Sequence, residues 1–268
     1  TSCDFLDVVP DNVATEEHVF ADRYTAEKYL ATCYWGMPKS AGWNENPGIL
    51  GALEMVFNTT YSSINGMKFG LGQDSPTSAL INYWSSGGDG VRSLYAGIRE
   101  CNTFMAGIGG VQDLQEYEKN RMIAEVKLIK AYMHFYLLSY YGPICPLRES
   151  PEVNESTQGV RVYREKVDDC FQYIIDLMDE VIDSKALPLI LTNPTTELGR
   201  FTLPVAYMMK AKVLLYWASP LFKGNTDYNS FLDHNGEPFF NQVYDPSRWT
   251  MAAETCKKAI EICESAGV

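Results

Sequence analysis

The segment Asn120–Leu147, N-R-M-I-A-E-V-K-L-I-K-A-Y-M-H-F-Y-L-L-S-Y-Y-G-P-I-C-P-L, constrains the fold more than any other part of the chain. It opens with a charged face at Arg121, Glu125, Lys127 and Lys130. From Ala131 to Tyr141 nearly every position is apolar or aromatic, including Tyr132, Met133, Phe135, Tyr136, Leu137, Leu138 and Tyr140. A helix that is hydrophobic all round is buried all round. A helix over Leu114–Tyr141 is therefore expected among the most buried elements, with Phe135 and Leu138 facing the core. Gly142-Pro143 ends it, because proline has no N–H to give and disfavours the α region in the residue before it.

Other helical patterns flank this one. Tyr24 to Trp35 reads as an amphipathic helix with Thr25 at its N-cap and Ala26, Tyr29, Leu30 and Cys33 on its apolar face. From about Asp89, the residues Val91, Leu94, Tyr95, Ile98, Cys101, Asn102 and Met105 recur at spacings of three and four. Val162–Ile182, Leu203–Trp217 and a last segment from Trp249 to about Ser265 repeat the pattern. Between them lie an extended lead over residues 1–20, a loop-rich insert over 36–90 and a polar insert ending at Asp245. Helices pairing antiparallel through turns predict an all-α, tetratricopeptide-like helical-repeat scaffold with long irregular loops, spanning 1–268. The run M-A-A-E-T-C-K-K-A-I-E-I-C resembles the first helix of such a repeat. No partner helix follows it, so the chain is expected to be the N-terminal part of a longer fold.

Charge removes several functional classes. The formal net charge is −12, from 22 Lys and Arg against 34 Asp and Glu. Phosphate backbones and anionic lipid surfaces need clustered cations. No run of 18 apolar residues encodes a transmembrane helix. Seven cysteines occur without a C-x-x-C pair, which argues against zinc or thioredoxin-type chemistry. Cys256 and Cys263 lie about 10 Å apart if helical, too far for a disulfide. All but Cys3 read as small buried hydrophobes. His134, alone among aromatics, reads as a core residue rather than a ligand. No G-x-S-x-G, H-E-x-x-H or P-loop is present, and no carboxylate pair is marked. The run from Asp227 to Asn235 lacks EF-hand spacing. No catalytic residue, metal or cofactor is nominated.

The string A-E-x-x-x-x-[RK]-A-Y-x-x-F-x-L-x-x-x-Y-G-x-x-x-P-L over Ala124–Leu147 resembles the core signature of the SusD/RagB family. The resemblance extends along the chain through D-F-L-D-V-V-P after Cys3, L-Y-A-G-I-R-E-C-N-T-F-M from Leu94, R-V-Y-R-E-K-V-D-D-C-F-Q-Y-I-I-D-L-M from Arg161 and G-R-F-T-L-P-V-A-Y-M-M-K-A-K-V-L-L-Y from Gly199. Pro204-Val205 departs from the small residues common there. The resemblance implies a surface lipoprotein of the Gram-negative outer membrane. It implies capture of an oligosaccharide or polysaccharide, delivery to a SusC-like TonB-dependent transporter, and no catalysis. Thr1-Ser2-Cys3 resembles the end of a lipoprotein signal, with Cys3 as the lipid acceptor. The alternative is a helical-repeat scaffold that binds peptide or protein rather than sugar.

Sugar binding needs an exposed aromatic face for the pyranose and planar polar groups for its hydroxyls. Loop aromatics outrank helix aromatics for exposure. Two clusters qualify: Trp43 with Asn44, and Asn82 and Trp84 with Asp74. Arg92 lies just beyond the second. The other reading of Trp43 and Trp84 is that they plug the scaffold.

Overall fold

The computed structural model describes residues 20–39, 47–51, 65–85, 92–150 and 161–268. Among them the architecture is helical, and β structure is limited to the isolated bridges Ser75–Ser78 and Leu232–Pro238. The main helices are α1 (Arg23–Trp35), α2 (Leu94–Gly107), α3 (Glu116–Tyr141), α4 (Val167–Ser184), α5 (Leu203–Ala218) and α6 (Ser247–Ala266). Short helical turns at Pro47–Leu50, Asn65–Gly70 and Pro194–Glu197 interrupt the loops.

Helix α3, 26 residues long, is the axis of the fold. Helices α1, α2, α4 and α5 all pack on it, and α6 packs on α5. Four neighbours explain its lack of a polar face: Val126, Leu128, Ile129, Met133, Leu137 and Leu138 are completely buried, and Phe135 nearly so. This is the burial that the sequence predicts for the signature helix. Fully burying each such side chain contributes about 1.5–3 kcal/mol.

Both α1 and α3 start on local sequence. The expected cap of α1 is displaced: Asp22, not Thr25, is the N-cap, in extended backbone at φ −149° and ψ 171°. Its Oδ1 accepts the Thr25 N–H at 2.8 Å, and the Thr25 hydroxyl accepts the Asp22 N–H at 3.3 Å. This is a reciprocal capping box three residues long, so Thr25 closes the box from inside the helix. A second box forms at Gln115 and Glu118 on α3. The two helix starts are joined: Arg23 grips Glu118 with two guanidinium bonds at 2.7 and 2.8 Å.

Helix α4 begins later than its hydrophobic pattern suggests. Residues 161–166 are non-helical, and Val162 and Tyr163 are exposed. The Glu165 N–H donates to the Ile144 carbonyl at 2.8 Å, and the Val167 N–H to the Phe239 carbonyl at 3.0 Å. Partners from two distant segments therefore hold this stretch extended against the body, outside the local reach of periodicity.

One ionic cluster sits inside the scaffold. Glu125 is fully buried on α3. Its carboxylate accepts from Arg121 Nε at 3.1 Å, Arg200 Nη2 at 2.8 Å and the Tyr34 hydroxyl at 2.9 Å. Tyr34 Oη in turn accepts the Phe201 N–H at 2.9 Å. Helix α1, helix α3 and the segment before α5 thus meet at one carboxylate. The Glu of A-E-x-x-x-x-[RK]-A-Y and the Arg of G-R-F-T are partners in space.

Candidate ligand-binding surface

The loop before α2 is organised by the end of α3. The Tyr141 hydroxyl, in the last residue of α3, accepts the Tyr83 N–H at 2.9 Å. Burial pushes the Tyr141 phenol upward, so it stays a neutral hydroxyl that anchors the loop. Trp84 is half-buried against this anchor. Its ring meets Tyr95 at 5.1 Å and Tyr141 at 5.4 Å, both edge-to-face. The Arg164 guanidinium lies 4.6 Å from the Trp84 ring centre. The indole is therefore held in an aromatic socket and covered by a cation.

The polar candidates have defined partners. Asn82 Oδ1 accepts the N–H groups of Trp84 at 3.2 Å and Ser85 at 3.0 Å, and its amide donates to the Ser85 hydroxyl at 2.8 Å. This side-chain turn fixes the loop backbone. Asp74 is exposed, and its Oδ1 accepts the Leu80 N–H at 2.8 Å. Trp43 and Asn44 lie outside the described residues, as does Cys3.

Arg92 connects this loop to a feature the sequence did not single out. Its guanidinium pairs with Glu100 of α2 and lies 5.6 Å from the ring centre of Trp35. Trp35, the last residue of α1, is 70% exposed. Arg92 Nη1 and Glu100 Oε2 have no hydrogen-bond partner among the described residues. The open indole of Trp35 offers a stacking face, and the partly buried Arg92–Glu100 pair flanks it. The Ser93 hydroxyl donates to the Trp84 carbonyl at 2.8 Å, so the Trp35–Arg92 surface and the Trp84 socket are consecutive. A signal for Trp35 was present. It falls off the Ala26–Leu30–Cys33 stripe of α1, so helical phase points it away from the core.

The other sequence candidates resolve as structure. His134 is completely buried, with Nδ1 on the Lys130 carbonyl at 2.8 Å. Desolvation drives its pKa down to about 3, so it is a neutral core residue. Cys33, Cys101 and Cys170 are buried, and burial pushes the Cys170 thiol up to about 12. That is the reverse of what a nucleophilic thiolate needs. In the Asp227–Asn235 run, Asp233 Oδ1 accepts the N–H groups of Asn235 and Glu237 at 2.8 and 2.9 Å, forming a turn. Among the described residues no group of His, Cys, Asp or Glu is placed to hold a metal, and no helix is long and apolar enough to cross a membrane.

Comparison with solved structures places this architecture. The protein BT4246 superposes with a TM-score of 0.75 at 25% identity, over 92% of this chain and 41% of that one. A SusD-like protein from Bacteroides fragilis NCTC 9343 superposes at 0.64 and 17% identity, over 94% and 40%. Surface glycan-binding protein A from Bacteroides thetaiotaomicron, solved in complex with laminarihexaose, superposes at 0.57 and 14% identity, over 89% and 43%. The chain thus spans about two fifths of the proteins it resembles. No curated protein matches the sequence. Residues 4–215 match the family model described as SusD-like, starch-binding and associating with the outer membrane, and the chain belongs to that SusD-like family of binding proteins.

Proposed function

We propose that the chain is the helical-scaffold part of a cell-surface lipoprotein that captures oligosaccharide and passes it to a SusC-like TonB-dependent transporter. The observation that carries this reading is the family match over residues 4–215, whose description joins starch binding to the outer membrane. A fold shared with a protein solved on laminarihexaose supports it. Cys3 is the proposed lipid site.

The glycan surface runs from Trp35 and Arg92 toward Asp74, Asn82 and Trp84; Trp43 and Asn44 are proposed for it on the sequence alone. In this arrangement Trp35 presents a free ring face, Arg92 and Asp74 bond hydroxyls, and Asn82 and Trp84 shape the loop beneath them. Calorimetric titration of the chain with laminarihexaose and maltohexaose tests the reading. Binding of either, weakened several-fold by Trp35→Ala, supports it. Failure of both sugars and of a starch or β-glucan pull-down refutes it. The anchor has its own test: a fatty-acid analogue fed to expressing cells labels wild type and not Cys3→Ser.

A further inference from the structure

A second concave site lies on another part of the scaffold. A cleft of about 720 Å³ opens between α2, α3, α4 and residues 148–150. That volume is typical of small-molecule sites and admits a short oligosaccharide. Met105, Ala106 and Leu177 give it apolar lining, and Lys127, Arg148, Glu149 and Glu180 line it as well. Asn102, Lys130 and Tyr173 add polar lining.

These three polar groups are incompletely partnered. Lys130 is 2% exposed and bonds the Arg148 carbonyl; among the described residues no carboxylate forms an ion pair with it, and Glu149 of the same cleft acts on it only at longer range. Its neighbours behave otherwise: Lys127 pairs with Glu180 at 2.6 Å, and Arg148 grips Glu165 at 2.5 and 2.8 Å. Asn102 is 7% exposed, and its Oδ1 has no hydrogen-bond partner among the described residues. The Tyr173 hydroxyl has none either, although its ring is fixed edge-on to His134 at 5.3 Å. Buried polar groups are normally satisfied, and a buried ammonium without an anion is costly. Burial pushes Lys130 down to about 8, the signature of that cost. A protein of net charge −12 keeps this cation inside, facing a cleft.

We propose that this cleft binds an acidic saccharide, with a uronate carboxylate on Lys130 and Tyr173, a sugar hydroxyl on Asn102 Oδ1, and the apolar pyranose face on Met105 and Leu177. The proposal rests on the glycan-binding reading and adds a substrate class to it. A carboxylate supplies the missing anion. A hydroxyl supplies the missing donor. An apolar ring face matches Met105 and Leu177, which an inorganic anion would leave bare.

The test titrates the whole chain with tri-galacturonic acid, maltotriose and tri-glutamate. Tri-galacturonate is expected to bind, and maltotriose not to compete for it. Lys130→Met keeps the buried stem and removes the charge. It is expected to weaken tri-galacturonate binding by about tenfold or more, with the melting temperature unchanged or raised. Tyr173→Phe is expected to weaken it several-fold without unfolding. Equal affinity in wild type and Tyr173→Phe overturns the proposal even if Lys130→Met does not fold. Tri-glutamate binding as tightly as tri-galacturonate overturns the saccharide class. If laminarihexaose binds and tri-galacturonate does not, the acidic cleft falls and glycan capture stands. If no saccharide binds, both fall.

Discussion

The Leu147 N–H donates to Nε2 of His134 at 3.1 Å, while Nδ1 of the same ring bonds the Lys130 carbonyl at 2.8 Å. One imidazole thus pins the Gly-Pro exit back onto the helix it has just left. The arrangement needs a neutral ring, with the proton on Nδ1 and the lone pair on Nε2.

That requirement predicts an acid-sensitive fold. The native pKa of about 3 lies below the ordinary 6.5, so beneath pH 6.5 the unfolded chain binds a proton that the native ring refuses. The stability is present above pH 6.5 and is lost as pH falls, by up to about 1.4 kcal/mol per unit. His134→Gln removes this titration. Urea unfolding at pH 7.5 and pH 5 should show wild type losing about 2 kcal/mol more than the variant. Parallel losses in both would refute the assignment.

Glu125 should be the costliest carboxylate to delete. Its removal leaves Arg121, Arg200 and the Tyr34 hydroxyl facing an empty centre. Glu125→Ala is expected to destabilise by about 3–5 kcal/mol, read from the denaturant midpoint. A loss below about 1 kcal/mol would show that water readily replaces the carboxylate.

Gly142 is fixed by its backbone. It has φ 70° and ψ −127°, and an added Cβ would lie 3.2 Å from Phe240 Cζ. Gly142→Ala should cost about 1–3 kcal/mol or more. Gly109→Ala is the control: a Cβ there meets nothing within 4 Å among the described residues, and it should change stability by less than about 1 kcal/mol. Thermal denaturation of the two variants checks the contrast, and equal melting temperatures would contradict it.

The two tryptophans should separate stability from binding. Trp84 sits in a socket of Tyr95, Tyr141 and Arg164, so Trp84→Ala should cost about 2 kcal/mol or more. Trp35 is largely exposed, so Trp35→Ala should cost less than about 0.5 kcal/mol yet weaken laminarihexaose binding several-fold. Paired melting and titration curves decide. A destabilised Trp35→Ala, or one that binds sugar normally, would move the glycan surface elsewhere.

The legible parts of the fold were those written in local pattern. The all-round apolar run of α3 predicted its central position, and the Gly142-Pro143 stop marked its end. The family signature was legible for a related reason. Several of its polar positions are buried contacts: Glu125 meets Arg200, and Lys130 bonds the carbonyl of Arg148 just past the exit. Local pattern failed at Thr25, where a box inside the helix mimics a cap outside it, and at Val162, where Ile144 and Phe239 hold the chain extended.

The sequence by itself determined the helical class, the order of the helices and the family, because periodicity, capping and spacing act over a few residues. Only tertiary structure decided the environment of each ring and charge. The sequence ranks the loop ring of Trp84 above the helix ring of Trp35 for exposure, and the structure reverses the order. Tyr141, 57 positions along the chain, and Arg164, 80 positions along, enclose the first, while the helical phase of α1 leaves the second open. Lys127 and Lys130 likewise part ways only in the packed fold, where Glu180 pairs with the first and the second is buried on the Arg148 carbonyl. Burial and pairing are sums over neighbours distant in sequence, and those sums exist only once the helices have packed.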